Sequence, residues 1–214
     1  MSRIIDRGLE SQSALLMTMG ELTYNAVALS VEGYIAGKRV QPKVSEMSEM
    51  LVSMSNQVED RTFELIARFQ PVASDLRTIK SYMKIAYDFA RYGRYALDIA
   101  SINERLGGLT ACEAWIRDYV AEMSEKVLIM MRTSLNALKN HNPELAQTVS
   151  KIEEEVDAMY FGFLDKLVKD AQATNECTIS SVLVVRYLER IADHAIYVAE
   201  AVVYIGTGKK LTLG

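Results

Sequence analysis

The segment LAQTVSKIEEEVDAMYFGF, residues 145–163, decides the fold class of this 214-residue chain. Its large apolar side chains are spaced by four and three residues in turn: Leu145, Val149, Ile152, Val156, Met159 and Phe163. This spacing places them on one face of an α-helix, whereas a half-buried strand alternates every second residue. Residues 82–99 and 184–205 repeat the same spacing. The pattern therefore predicts long amphipathic helices.

Three prolines and one glycine pair divide the chain into these helices. Pro42, Pro71 and Pro143 lie between periodic segments, where proline is tolerated because it disrupts a helix interior. Gly107-Gly108 marks a further break. The predicted helices cover 5–36, 43–70, 72–104, 111–140, 143–171 and 176–205. We therefore predict an all-α protein of six long helices, packed as bundles of near-antiparallel neighbours.

The two halves of the chain contain an internal repeat. Residues 89–100, FARYGRYALDIA, align with residues 188–199, LERIADHAIYVA, at an offset of 99 that places Arg91 on Arg190 and Gly93 on Ala192. The small residues fall where two helices would approach closely. Chance similarity between amphipathic helices is the alternative. The repeat predicts two three-helix units, 1–106 and 109–214.

Composition and charge exclude several classes of protein. A net charge of −4 opposes broad binding to nucleic acid or to an anionic membrane. We expect no membrane insertion, since no apolar run approaches the roughly 20 residues of a spanning helix. Cys112 and Cys177 lie in no CxxC or Cys/His cluster, so free thiols in a reducing cytoplasm are expected.

Two pairs of acidic residues stand four positions apart on the last two helices. Glu153 and Asp157 share one helix face, and Glu189 and Asp193 share another. If these helices are antiparallel neighbours, all four carboxylates can converge on one cation that prefers oxygen ligands. The alternative is a solvated face, because the acids lie off the apolar seam and nearby arginines can pair with them.

No set of residues forms a recognisable catalytic site. The chain has two histidines: His141 lies in the loop KNHNPE, and His194 points about 100° away from Asp193 on the same helix. A phosphate-binding glycine loop and a nucleophile elbow are both missing from the sequence. We expect no enzyme. A carboxylate-bridged metalloenzyme and a purely structural helical protein remain as alternatives.

Two stretches resemble the signatures of the PhoU family. Residues 70–77, QPVASDLR, and 186–195, RYLERIADHA, are similar to its QPxAxDLR and LERIGDHA motifs. The resemblance covers essentially the whole chain and implies two tandem three-helix repeats. It also implies a cytoplasmic regulator that restrains the phosphate transporter and, in bacteria, its sensor kinase. Long helical slabs of this family tend to pair, so a homodimer is expected.

The resemblance further implies a metal site. Members similar to this chain bind iron or zinc clusters through E(D)xxxD motifs, which fall here on Glu153, Asp157, Glu189 and Asp193. In the first repeat the corresponding positions are Ser55, Glu59, Ala90 and Arg94. We therefore expect metal in the second repeat only, with Arg94 pairing with Glu59 in place of a cation.

Overall fold

The computed structural model describes residues 4–169 and 175–214, which form helices and contain no strand. Helices account for 89% of this structure, which confirms the all-α prediction. The helices are α1 (Ile4–Ala36), α2 (Gln41–Phe69), α3 (Ala73–Leu106), a 3₁₀ turn (Leu109–Ala111), α4 (Ala114–Lys139), α5 (Pro143–Gln147), α6 (Val149–Lys169) and α7 (Glu176–Thr207).

The six predicted helical segments are present, but the fifth is interrupted at Thr148. Asn142 caps the start of α5 by accepting a hydrogen bond from the Leu145 backbone N–H at 2.9 Å. The Thr148 hydroxyl then donates to the Leu145 carbonyl at 2.7 Å, and such side-chain bonds to carbonyls compete with regular helix geometry. The last two residues of the predicted segment, 170 and 171, lie outside the described residues.

The first three helices pack on one another, and α7 packs against α4 and α6 in the second half. The halves meet where α3 lies along α7, the most extensive helix contact in the described structure, and where α1 meets α4. Buried side chains from both halves form one continuous core, for example Leu16, Phe89, Met130 and Leu188. The limits 1–106 and 109–214 for the two repeats remain a prediction.

The predicted close approach at Gly93 is confirmed. A Cβ added at Gly93 would lie 2.6 Å from Leu51 Cδ1 and 3.5 Å from the Ser48 Cα on α2. The missing side chain therefore lets α2 and α3 approach each other. Glycine at this position is explained by packing, because it lies within α3 and needs no unusual backbone angle.

Helix α1 alone among the described helices is long and apolar enough to cross a membrane, by length and composition only. Its side chains Leu16, Met19 and Val27 are fully buried in the shared core. A core helix of this kind passes the same test as a membrane span. The packing of α1 in the bundle accounts for its apolar composition.

The expectation of two free thiols is wrong in this structure. Cys112 follows the 3₁₀ turn and Cys177 lies in the first turn of α7, and a disulfide joins them with their Cα atoms 5.6 Å apart. The residues are 65 positions apart in sequence, so no local motif indicates the pairing. The thiol argument for a reducing compartment therefore no longer applies, and a cytoplasmic location remains a prediction.

Candidate functional site

The four predicted metal ligands lie on two helices that pack together. Glu153 and Asp157 are half-buried on α6, and Asp193 is half-buried on α7. Glu189 is only 8% exposed, so the alternative of a solvated face does not hold for this acid. Its burial follows from the position of α7, which packs against α3, α4 and α6.

The carboxylates perturb one another across the two helices. Burial raises the pKa of Glu153, and the charges of Asp157 and Asp193 raise it further. Burial also raises the pKa of Glu189, with a second contribution from Asp193. Burial raises the pKa of Asp193, while the Arg190 charge opposes that rise. The acids of α6 and α7 therefore share one electrostatic environment.

Two arginines of α7 compensate part of this negative charge. Arg190 Nη1 donates a hydrogen bond to Asp193 Oδ2 at 3.0 Å. Arg186 Nη1 lies 2.7 Å from Glu189 Oε2. That oxygen is buried and has no donor in hydrogen-bond geometry, so the second contact is an ion pair without a well-aligned hydrogen bond. Both pairings fit the alternative of neutralised helix acids.

A second polar cluster, absent from the sequence prediction, joins α3 to α7. His194 is buried and its Nδ1 lies 2.8 Å from Oδ1 of the buried Asp88. Its Nε2 lies 3.4 Å from the hydroxyl of Tyr95. An ionised carboxylate only accepts, so we assign the proton to Nδ1, which leaves Nε2 to accept from Tyr95. The cluster links the two halves of the chain through their interior.

The cluster follows the internal repeat. Tyr95 and His194 are equivalent positions at the offset of 99, and they contact each other. Asp88 is equivalent to Tyr187, and the Tyr95 and Tyr187 rings lie 5.8 Å apart. The Asp88–His194 and Tyr187–Tyr95 contacts are thus the same contact with the repeats exchanged. Helices α3 and α7 are therefore related by a local twofold axis that passes near Tyr95 and His194.

The repeated helical architecture agrees with a comparison to known families. The model of the PhoU domain matches the chain twice, over residues 16–102 and 120–202. The chain belongs to the PhoU family. Its Asp88–His194–Tyr95 cluster lies between the two PhoU domains, since each domain match contains one of the two helices involved.

Full-length relatives carry the same family name. A Clostridium acetobutylicum protein described as a phosphate-specific transport system accessory protein PhoU homolog is 30% identical over 99% of this chain and 98% of its own. A Pseudomonas putida protein with that description is 31% identical over 94% of this chain and 79% of its own. The crystal structure of PhoU from Pseudomonas aeruginosa superimposes with a TM-score of 0.87 at 27% identity, covering 95% of this chain and 99% of that one.

The first PhoU-like motif has a structural role at the ends of helices. QPVASDLR forms the turn between α2 and α3, where Gln70 ends α2 in the left-handed conformation and Asp75 lies in the first turn of α3. Gly208 ends α7, and Arg77 Nη1 lies 3.0 Å from the point that a Cβ on Gly208 would occupy. A cation beside a helix C-terminus stabilises the helix dipole. This motif therefore joins the first half to the last helix.

The four carboxylates are chemically suited to a metal, but their arrangement in this structure is not. Carboxylate oxygens with mutually raised pKa values attract a cation. In the ranges 4–169 and 175–214, however, no three Asp, Glu, His or Cys side chains gather around one point. The assignment of Glu153, Asp157, Glu189 and Asp193 to a metal site of this PhoU protein remains a prediction.

The predicted ion pair of the first repeat does not form. Glu59 and Arg94 are both exposed, and none of the ion pairs between described residues joins them. Arg94 instead lies near Asp98, where its charge lowers the pKa of that carboxyl against the larger, opposite effect of burial. Asp98, rather than Glu59, is the acidic neighbour of Arg94 because the two residues stand four positions apart on the same helix face.

Proposed function

We propose that this PhoU protein restrains phosphate uptake by docking on a component of the phosphate transporter, and on its sensor kinase where one exists. A regulatory role in phosphate transport, without enzymatic activity, follows from family membership. The observation that carries it is the pair of PhoU domain matches, together with relatives aligned over nearly their full length. Restraint, docking and cytoplasmic location are the proposed steps.

The surface around the α2–α3 turn supports docking through this end of the molecule. Phe63 is 58% exposed and Val72 is 59% exposed, and Leu76 is exposed one turn further along. Large apolar side chains grouped on a surface commonly mark a protein contact. Leu16 and Met19 of α1 and Ile116 of α4 are buried, so these apolar side chains are not available for docking.

The uptake experiment measures phosphate accumulation in three strains: a deletion strain, the same strain carrying the wild-type gene, and the same strain carrying Phe63→Glu. We expect the deletion and the Phe63→Glu strain to accumulate excess phosphate, because a charge on the docking surface opposes apolar contact. Ile129→Glu is the matched control, since Ile129 is an exposed apolar residue on α4. Unchanged phosphate accumulation in the deletion strain would contradict the proposed function, and a purified catalytic activity would contradict its regulatory basis.

We also propose a cation, iron or zinc, bound by Glu153, Asp157, Glu189 and Asp193 of the second repeat only. The mutually raised pKa values of these acids support it, because a divalent cation removes their repulsion. Elemental analysis of purified Asp157→Ala/Asp193→Ala protein should show loss of the metal. Glu154→Ala, an exposed acid of the same helix, is the control. Metal retained by the double variant would contradict the assignment.

A homodimer completes the proposal. A long helical slab with exposed apolar side chains on α6, such as Phe161, has surface available for pairing. Sedimentation of the purified chain at micromolar concentration should give twice the monomer mass. A strict monomer would remove the dimer and leave the regulatory role untouched.

A further inference from the structure

The disulfide between Cys112 and Cys177 lies where the chain passes from the first PhoU domain to the second. Residues 107–113 form the linker between α3 and α4, and Cys112 belongs to this linker. Cys177 lies in the first turn of α7, and 65 positions separate the two residues. The chain contains two cysteines, so this bridge is its one disulfide. It fastens the linker to the last helix.

Other contacts join the same parts of the molecule without the sulfur atoms. The Tyr34 hydroxyl, near the end of α1, lies 2.9 Å from Ser180 Oγ and 3.3 Å from Ser181 Oγ on α7, and all three side chains are buried. Asn103 Nδ2 on α3 donates to the Lys38 carbonyl at 2.6 Å. The end of α1 is thereby held to both α7 and α3. Opening the disulfide therefore removes the covalent tie of the linker and leaves the two halves packed together.

The two cysteines differ in exposure. Cys112 is 7% exposed, whereas Cys177 is half-buried beside the exposed Glu176. The linker residues on either side of Cys112, Ala111 and Glu113, are exposed, so its immediate neighbours do not hold it in the core. Thiol–disulfide exchange depends on access to the sulfur under attack. Cys177 is therefore the cysteine that an external thiolate attacks.

We propose that the Cys112–Cys177 pair is a reversible redox site, which a protein dithiol of the thioredoxin class opens. A thiolate of the reductant attacks Cys177 Sγ, which breaks the S–S bond, forms a mixed disulfide and releases Cys112 as a thiolate that takes up a proton. The second thiol of the reductant then displaces Cys177. The chain thus gains two electrons and two protons, and the reductant becomes a disulfide. The reverse exchange with an oxidised dithiol closes the bridge.

A reversible bridge fits the proposed cytoplasmic location better than a permanent one. Disulfides are rare in a reducing cytoplasm, and those found there are usually transient or redox-sensing. The biological meaning of the site rests on that proposed location, whereas the exchange chemistry does not. The bridge lies at the start of α7, while the docking surface near the α2–α3 turn adjoins the other end of α7, where Arg77 approaches Gly208. Opening the bridge therefore frees the linker and leaves the docking side chains in place.

Trp115 provides a built-in reporter of the linker. It is the one tryptophan of the chain and lies in the first turn of α4, shortly after Cys112. Its Nε1 donates to Glu113 Oε2 at 3.1 Å, its ring centre lies 5.7 Å from that of Phe163, and Lys166 Nζ lies 4.3 Å from the ring centre. Release of Cys112 lets the neighbouring Glu113 move, which changes the surroundings of the indole. Trp115 fluorescence therefore reports the opening of the linker independently of thiol chemistry.

The test is a redox titration of the purified full chain with mixtures of reduced and oxidised dithiothreitol, followed by iodoacetamide labelling and mass spectrometry. The oxidised chain should take up no label and the reduced chain two, and Trp115 fluorescence should change with the same midpoint. Far-ultraviolet circular dichroism should stay unchanged, because the halves stay packed. Amide hydrogen exchange in residues 107–113 should accelerate about tenfold or more on reduction. Cys112→Ser should abolish the fluorescence change, whereas Thr110→Ala, a change at an exposed residue of the same linker, should preserve it.

The opposite outcomes overturn the proposal in distinct ways. Two labelled cysteines after full oxidation would show that no bridge forms. A bridge that survives thioredoxin, thioredoxin reductase and NADPH would be a permanent cross-link, and loss of the helical signal on reduction would make it essential to the fold. If Cys112→Ser fails to fold, Cys177→Ser, which leaves the linker sequence intact, is the second variant. These results need no transporter, so a failed redox site with intact control of uptake leaves the regulatory role standing.

Discussion

The hydrogen bond from His194 to Asp88 joins the two halves in their interior, and a double-mutant cycle can measure its contribution to stability. The perturbations are Asp88→Leu, His194→Leu and the combination of both. The two side chains are almost completely buried and their atoms lie 2.8 Å apart. Because a buried group left without its partner keeps its full desolvation cost, each single substitution should destabilise more than its own lost contact.

The magnitudes differ between the two substitutions. His194→Leu leaves the Asp88 carboxylate buried with both oxygens unpaired, since Oδ2 already has no partner; leaving a buried charged group without its hydrogen-bond partner costs about 3 kcal/mol or more. Asp88→Leu leaves only the neutral Nδ1–H of His194 unpaired, at a cost of about 1–3 kcal/mol. The double variant removes both polar groups. The double variant should therefore lose about 2 kcal/mol less unfolding free energy than the two single variants lose together.

Urea unfolding followed by far-ultraviolet circular dichroism provides the four free energies. Asp88→Leu combined with Glu154→Leu is the control cycle, because Glu154 is exposed on α6, a helix that does not contact α3. That pair should be additive within about 0.5 kcal/mol. If the Asp88 and His194 substitutions are also additive within about 0.5 kcal/mol, the contact and its role in joining the halves are refuted.

Three further substitutions test other parts of the fold. Gly108→Ala should cost about 1–3 kcal/mol in chemical unfolding, because its Cβ would meet the Tyr34 carbonyl oxygen, which belongs to the backbone. Cys112→Ser should lower stability by about 4 kcal/mol under oxidising conditions, the loop entropy of a 65-residue closure, and by much less in a reducing buffer. Asn142→Ala should cost about 1 kcal/mol by removing a helix cap, as measured by thermal melting.

The helices could be predicted from the sequence because their apolar spacing is a local property. The seam from Leu145 to Phe163 identified a helix, and the prolines identified its neighbours. The break at Thr148 could not be predicted in this way, since it depends on the Thr148 hydroxyl bonding to the Leu145 carbonyl. Spacing describes which face is apolar, whereas such breaks depend on individual hydrogen bonds.

The polar interior was the harder part of the prediction. A single apolar seam treats a helix as buried on one side, so it placed Glu189 off the core face and gave no role to His194. Helix α7 is instead covered by α3, α4 and α6, which buries both residues. The offset of 99 did contain a signal, because it places His194 at the position of Tyr95, and equivalent residues meet on a twofold axis. That signal becomes readable once α3 and α7 are known to be neighbours.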